Sequence, residues 1–574
     1  MDEGRRLIEL RIQQLSHRKE TYLWAVVLLV VALLASWPLF SANHIIHGFD
    51  IVVHLGRIEG LKDALLSGQF PVRVNPFQLG GYGMPTDIFY PDVFRYFPAI
   101  LRLIDVPLLA SWKAYLIMLN ILTVFCCWWA FAAYTRSLQT GAVAALFYEI
   151  FLFRFVMVYD ASAAASPLGM AFLPGAIVSV WLTLRRDPHY WIAAAFFCTG
   201  IFLSHIVTGF FLLFAVVVMV LASLRRFQSP EVRWAAGKAV LWTFLLILWF
   251  YAPLLYFNHY MDYQVRHVTE QDAAYNYIYY LREMDFYMGS GMFLVLAGIS
   301  GYMFLHRKRV HFQEFLFFLV SSAIVIFIVS RPWLWHILGH IGGILQFPSR
   351  LTVFPMFFLS LAIARGFEAI GLAKMRIRIL AVLCVLFSLG GNFWWLSGHA
   401  YSLPPQERQN KKLIWERSLV SDYLNGLDFF STGFADYIDV PTRDRILNAH
   451  PENPDRVAVM REKFKDREIH PSERLSRVQR NTNDFVLQYD AGREGWIQLP
   501  IFWYIGYTAE DPTNAKSYEV RKDEDGQVSV WLPPEAGTVH VWYGGLSWFH
   551  LTDLISWFSL FGFLYIAIMT KKRI

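Results

Sequence analysis

Apolar runs alternate with short polar breaks along most of the chain, and the runs have the roughly 20-residue length that a hydrocarbon core about 30 Å thick asks of a helix. They fall near 22–41, 112–134, 140–159, 166–184, 236–257, 289–305, 312–330, 351–371, 379–397 and 549–570. The run 191–224 is longer than one span and is flanked by RRDPH and LRRF. Basic loops stay on the cytoplasmic side, so this run predicts a helical hairpin turning near Ser204 and His205 on the outer face. Twelve spans result. An even number agrees with a basic start, RRLIELRIQQLSHRKE, and a terminal KKRI on the same side, which places both termini in the cytoplasm. No small-residue cleavage site follows the first span, which therefore reads as an anchor.

Two stretches interrupt the pattern. Residues 42–111 form a first outer loop rich in Gly, Pro, Tyr and Asp, and 398–548 is a polar outer domain. The second half of that domain reads as strands in FVLQYDA, GWIQLPIFWYIGY, SYEVRK, QVSVWLPP and TVHVWYGG, with DEDG as a hairpin turn. The expected architecture is a mainly α polytopic membrane protein. Residues 1–21 would be an amphipathic cytoplasmic start, 22–397 the transmembrane domain carrying the outer loop, 398–548 a small β-rich outer domain, and 549–574 a last span with a basic tail.

Composition supports the bilayer as solvent. Of 574 residues 56% are hydrophobic and 17% charged, against roughly 45–50% and 25% in soluble domains. With 21 Trp, 28 Tyr and 49 Phe and a mean hydropathy of +0.38, disorder, coiled coil and fibre are excluded as the main architecture. The net charge of +6 is largely a topology signal, since most basic clusters punctuate apolar runs, and it gives no reason to expect nucleic acid. Cys126, Cys127, Cys198 and Cys384 lie inside apolar runs and read as small buried hydrophobes.

Candidate chemistry concentrates in the first outer loop. Asp50, His54 and Arg57 fall at i, i+4 and i+7, on one helical face. A carboxylate, an imidazole and a guanidinium there suit proton abstraction and anion binding; the alternative is a solvated face with Asp and His in contact. The loop continues through GGYG, with Tyr82, and FYP, beside Asp87 and Asp92. Such a stretch is costly to order unless it lines a cavity. A histidine-bound metal through His44, His47, Asp50 and His54, or a divalent cation such as Mg or Mn held by Asp50, Asp87 and Asp92, are further readings. No motif requires a cofactor.

A second constellation, RPWLWHILGHIGGILQFPSR at 331–350, suits an interfacial segment and places Gln346 and Arg350 at a helix mouth. Arg350 is either an interface anchor or a binder of lipid phosphate. His205 at the hairpin turn reads as an interfacial histidine or a ligand. Glu149 and Arg154 stand within one run, where ionisable groups are functional candidates by default; five residues apart and about 140° around a helix, they would not simply pair. Walker loops, GxGxxG, GxSxG and HExxH are missing, which argues against cytoplasmic nucleotide chemistry.

The stretch FDIVVHLGRIEGLKDALLSGQFPVRVNP, followed by GYGMP, FYP and later LQFPSR, resembles the GT-C class of integral-membrane glycosyltransferases. More closely, it resembles the bacterial YfhO-like group and the membrane proteins labelled as related to 6-pyruvoyl-tetrahydropterin synthase. The resemblance implies an inverting glycosyltransferase in a bacterial plasma membrane. It would move sugar from a polyprenyl-phosphate donor to an extracytoplasmic glycan, lipid or protein acceptor. Asp50 would be the general base, Arg57 and Arg350 would hold the lipid phosphate, and His54 and His205 would be supporting donors. A transporter or flippase of lipid-linked glycans is the alternative.

Overall fold

A computed structural model of the chain describes residues 2–40, 51–75, 82–91, 93–261, 289–308, 310–331, 333–335, 337, 348–401, 445–446, 448–449, 459, 474–481 and 484–571. The chain divides into two compact units. One comprises Met1–Ile51, Lys113–Thr243 and His267–Leu403, and the other Val52–Trp112, Phe244–Arg266 and Pro404–Ile574.

The first unit is helical. Its described elements include Asp2–Ala35, Leu108–Thr135, Leu138–Glu149, Leu152–Tyr159, Ala165–Arg185, Trp191–Phe202, Ile206–Ala222, Ser290–Leu305, Phe312–Val329, Val353–Ile370 and Met375–Tyr401. Local chemistry sets several ends. The Ser137 side chain accepts from the Thr140 N–H and caps the helix that follows. The expected hairpin is present, with Leu203 and Ser204 in the turn and His205 capping its second arm by accepting from the Thr208 N–H at 3.3 Å.

The run 140–159, expected as one span, is broken. Leu138–Glu149 and Leu152–Tyr159 meet at 50°, because Phe151 is extended (φ −58°, ψ 127°). The break overturns the expectation for Glu149 and Arg154. Arg154 Nη1 donates to Glu149 Oε1 at 2.8 Å, since a regular helical step no longer separates the two. Arg154 Nη2 also donates to Asn120 Oδ1 at 3.0 Å and Thr123 Oγ1 at 2.8 Å. Asn392 Nδ2 donates to the Ile150 carbonyl freed by the break, at 2.6 Å. A polar network buried in an apolar unit thus satisfies the backbone where the helix stops.

Seven described helices are long and apolar enough to cross a bilayer, and the bent pair makes an eighth if it is one span. The expectation of twelve includes runs such as Ile206–Ala222 and Gly291–Leu305, which are apolar but shorter. Only 22% of the Phe312–Val329 window and 22% of the Ser547–Thr570 window is buried. Faces that apolar call for lipid as their solvent.

The described residues of the second unit include most of the helix Ile51–Leu66, the helix Tyr96–Leu103, the final helix Ser547–Lys571 and seven strands. These are β1 (Leu475–Asn481), β2 (Asp484–Tyr489), β3 (Gly495–Phe502), β4 (Tyr507–Glu510), β5 (Val520–Lys522), β6 (Gln527–Leu532) and β7 (Gly537–Tyr543). They form an antiparallel four-stranded sheet ordered β1-β2-β7-β4 and a three-stranded sheet ordered β3-β6-β5. All five expected strand segments are found. DEDG turns β5 into β6, with Gly526 at φ 77° and Asp523 Oδ1 accepting from the Asp525 and Gln527 amides. GWIQLPIFWYIGY yields β3 and, past Gly506, whose φ of 115° a side chain would resist, the first residue of β4.

The buried faces of both sheets share one core with Val74, Tyr82, Met84 and Ile88 of the first loop and with Phe549 of the last helix. The described part of the GYG stretch is therefore ordered by packing. Phe502 N–H donates to the Tyr82 carbonyl at 2.8 Å, and Tyr504 Oη donates to the Gly83 carbonyl at 3.0 Å.

Candidate functional site

The helix Ile51–Leu66 carries His54 and Arg57 three residues apart, hence on one face. Both are buried, at 6% and 4% exposure. Arg57 Nη2 donates to Asp87 Oδ1 at 3.3 Å, and its guanidinium lies 5.0 Å from the centre of the Tyr90 ring. Asp87 and Tyr90 reach Arg57 because the one-turn helix Thr86–Phe89 is seated through Ile88 in the β-sheet core.

His54 stacks on Trp112 with ring centres 5.4 Å apart and planes at 16°. Its Nδ1 is 3.3 Å from Arg95 Nη2. A guanidinium can only donate, so Nδ1 accepts and the imidazole proton sits on Nε2. Burial foremost, then the charges of Arg95 and Arg57, hold His54 well below its ordinary pKa of 6.5. The ring is neutral at physiological pH, and a neutral imidazole with its proton on Nε2 is a donor at that atom.

Arg95 is itself 1% exposed. Among the described residues the cluster gathers two buried guanidinium groups, Arg57 and Arg95, the Asp87 carboxylate and an uncharged imidazole. Arg57 Nε is buried and has no hydrogen-bond partner among the described residues. Buried guanidinium groups are held best by anions whose oxygens match their geometry.

Sequence reading missed Arg95 and Trp112. Arg95 lies 41 residues from His54, and its one local signal is an arginine set between Phe94 and Tyr96. Arg73 was also passed over. Its Nη2 lies 2.6 Å from Asp553 Oδ1 and its guanidinium 5.3 Å from the Phe549 ring centre. Gln69 Oε1 accepts from the Arg73 and Val74 amides at 2.6 and 2.9 Å and folds the turn that presents the arginine.

Other sequence-predicted residues are distributed as follows. Tyr82 is 1% exposed, with its ring 5.0 Å from that of Phe502. In the first unit, His205 is buried with Nδ1 2.8 Å from Thr208 Oγ1. Arg350, half-buried on the turn Pro348–Thr352, lies within electrostatic range of it. Asp50, Asp92, Gln346, His44 and His47 lie outside the described residues. Among the described residues no group of three or more His, Cys, Asp and Glu could hold a metal ion.

No protein-family model matches the sequence, and no curated protein matches it. Among solved structures, the chain is similar to the arabinofuranosyltransferase AftD from Mycobacteria at 14% identity and a TM-score of 0.42, over 68% of this chain and 28% of that one. It is similar to the Archaeoglobus fulgidus oligosaccharyltransferase at 14% identity and a TM-score of 0.37, over 78% of this chain and 56% of that one. It is similar to ArnT from Cupriavidus metallidurans bound to undecaprenyl phosphate, at 11% identity and a TM-score of 0.41, over 88% of this chain and 98% of that one. The chain thus spans 28% and 56% of the lengths of the first two. Scores below 0.5 leave the functional argument to the residues of this chain.

Proposed function

We propose that the protein is a GT-C-type membrane glycosyltransferase that moves a sugar from a polyprenyl-phosphate carrier to an acceptor outside the cytoplasm. The observation that carries this reading is the cationic cluster of Arg57, Arg95 and neutral His54 on and around the helix that begins just after Asp50. Two buried guanidinium groups beside a neutral imidazole suit a leaving group that departs as a phosphate. A lipid-borne donor also needs no nucleotide motif, and the sequence has none.

In the proposed reaction the Asp50 carboxylate takes the proton of an acceptor hydroxyl. The oxygen attacks the anomeric carbon from the face opposite the phosphate, and the bond from that carbon to the phosphate oxygen breaks. The electron pair leaves with the polyprenyl phosphate, and the configuration inverts. Arg57 would offset charge on the departing phosphate, and Arg350, with His205 near it, is the other candidate for that role. Positioned base catalysis supplies about 10²- to 10⁴-fold. Twelve spans, cytoplasmic termini, a bacterial plasma membrane and membership of the YfhO-like group belong to the same proposal.

The test is sugar transfer from a polyprenyl-phosphate sugar by the full chain in detergent. Wild type should turn over, and Asp50→Asn should lose about 10²-fold or more, the scale of one positioned base. A folded Asp50→Asn protein with wild-type turnover would remove Asp50 as the base. No transfer by wild type, with labelled lipid-linked sugar crossing proteoliposomes unchanged, would replace the enzyme reading with a flippase.

A further inference from the structure

In the first unit a cavity of about 640 Å³ opens at the junction of the helices Leu108–Thr135 and Leu138–Glu149. Its size falls within the roughly 300–1,000 Å³ of small-molecule sites. Phe125, Trp128 and Trp129 supply apolar walls, and Glu20, Arg136 and Gln139 are its charged and amide groups. None of these belongs to the cluster described above.

The charges in the lining are not balanced. Glu20 is already engaged, by Arg378 Nη2 at 3.1 Å and by the Gln139 amide. Arg136 is exposed and makes no ion pair among the described residues. It also sits in the left-handed region at φ 58°, a conformation that non-glycine residues adopt at a cost. Strain of that kind concentrates where a side chain must be aimed. Arg186 adds a second guanidinium to the same corner, donating to the Ala133 carbonyl at 3.1 Å. Trp129 lies half open, with its ring 4.9 Å from that of Phe197.

We propose that this cavity binds the head group of an anionic phospholipid. Its phosphate would accept from the Arg136 fork, and its glycerol and upper acyl carbons would lie on Phe125, Trp128 and Trp129. Tryptophan with arginine at the end of an apolar helix is the chemistry of the membrane interface. The basic loops around this junction, RRDPH and KMRIR, assign it to the cytoplasmic leaflet, where anionic lipid attracts such residues. The site is separate from the proposed transfer chemistry and would be occupied with or without donor.

The full chain, purified in detergent, is titrated with phosphatidylglycerol, phosphatidylcholine and inorganic phosphate, and occupancy is read by native mass spectrometry. Arg136→Gly removes the cation and relieves the left-handed strain, so the variant should melt no lower than wild type. Wild type should retain phosphatidylglycerol over phosphatidylcholine by about fivefold, the factor one basic residue supplies at an anionic surface, and Arg136→Gly should lose that preference. Undiminished phosphatidylglycerol occupancy in Arg136→Gly, or equal retention of the two lipids by wild type, overturns the proposal. Displacement of phosphatidylglycerol by an equal concentration of inorganic phosphate would make this a free-phosphate site and overturn it as well.

Discussion

Glu149 and Arg154 form an ion pair of 2.8 Å at zero and 1% side-chain exposure, although a continuous helix would hold them about 140° apart. They meet because the helix stops at Ile150 and Phe151 and restarts at a 50° angle. The pair and the break depend on each other. The arginine also ties the joint to Asn120 and Thr123 of a neighbouring helix.

Arg154→Met leaves Glu149 buried without its partner and should lower stability by about 3–5 kcal/mol. The double variant Glu149→Gln with Arg154→Met should recover much of that loss, since neither charge then stays behind. Denaturation midpoints in mixed micelles over this double-mutant cycle give the answer, and additive losses would show that the two side chains do not couple.

His54 predicts a pH dependence of stability. Its pKa is lowered in the folded protein, first by burial and then by Arg95 and Arg57, whereas the unfolded chain takes up the proton near 6.5. Below that pH the unfolded state binds more protons, so stability contributed by the neutral ring is present above about pH 6.5. It is lost as pH falls, by up to about 1.4 kcal/mol per pH unit. The variant His54→Gln should show a flatter profile between pH 6.5 and 5. Superimposable profiles for variant and wild type would mean that His54 titrates normally.

A methyl group at Gly60 would lie 1.7 Å from Asn75 Oδ1. Asn75 is fully buried, and its backbone pairs with Met84 at 2.7 and 2.9 Å, so it has no room to retreat. Gly60→Ala should therefore cost about 1–3 kcal/mol through overpacking. The double variant with Asn75→Ala should lose less than the sum of the two single losses. Melting temperatures of the three variants decide it.

Tyr504→Phe removes the donor to the Gly83 carbonyl and leaves that acceptor buried, at a cost of about 1–3 kcal/mol. The effect should be local. Hydrogen exchange should quicken at residues 82–86 and remain unchanged across β6 and β7, while uniform acceleration would assign the bond a global role.

Signals carried within a few residues were readable from the sequence. The apolar runs gave the helices, RRDPH and LRRF located the hairpin at Ser204 and His205, and DEDG marked the β5–β6 turn. The break at Ile150 and Phe151 was hidden because it contains neither Pro nor Gly, and the Asn392 amide that meets the Ile150 carbonyl comes from 242 positions away. β1, with the sequence LSRVQRN, carries too few apolar residues to announce an edge strand. The helical face of His54 and Arg57 could be read from their spacing, but Arg95, Asp87 and Trp112 arrive from other elements, and no local pattern encodes a contact across 30 to 58 positions.

The Arg73–Asp553 pair joins residues 480 positions apart. A ribosome adding about 5–20 residues per second reaches Asp553 roughly 25–100 s after Arg73. During that interval the first loop is made while its buried arginine has no counter-ion. A nascent chain interrupted before residue 547 carries Arg73 without a partner from the last helix, so quality-control proteases that cut this loop would discriminate finished molecules from unfinished ones.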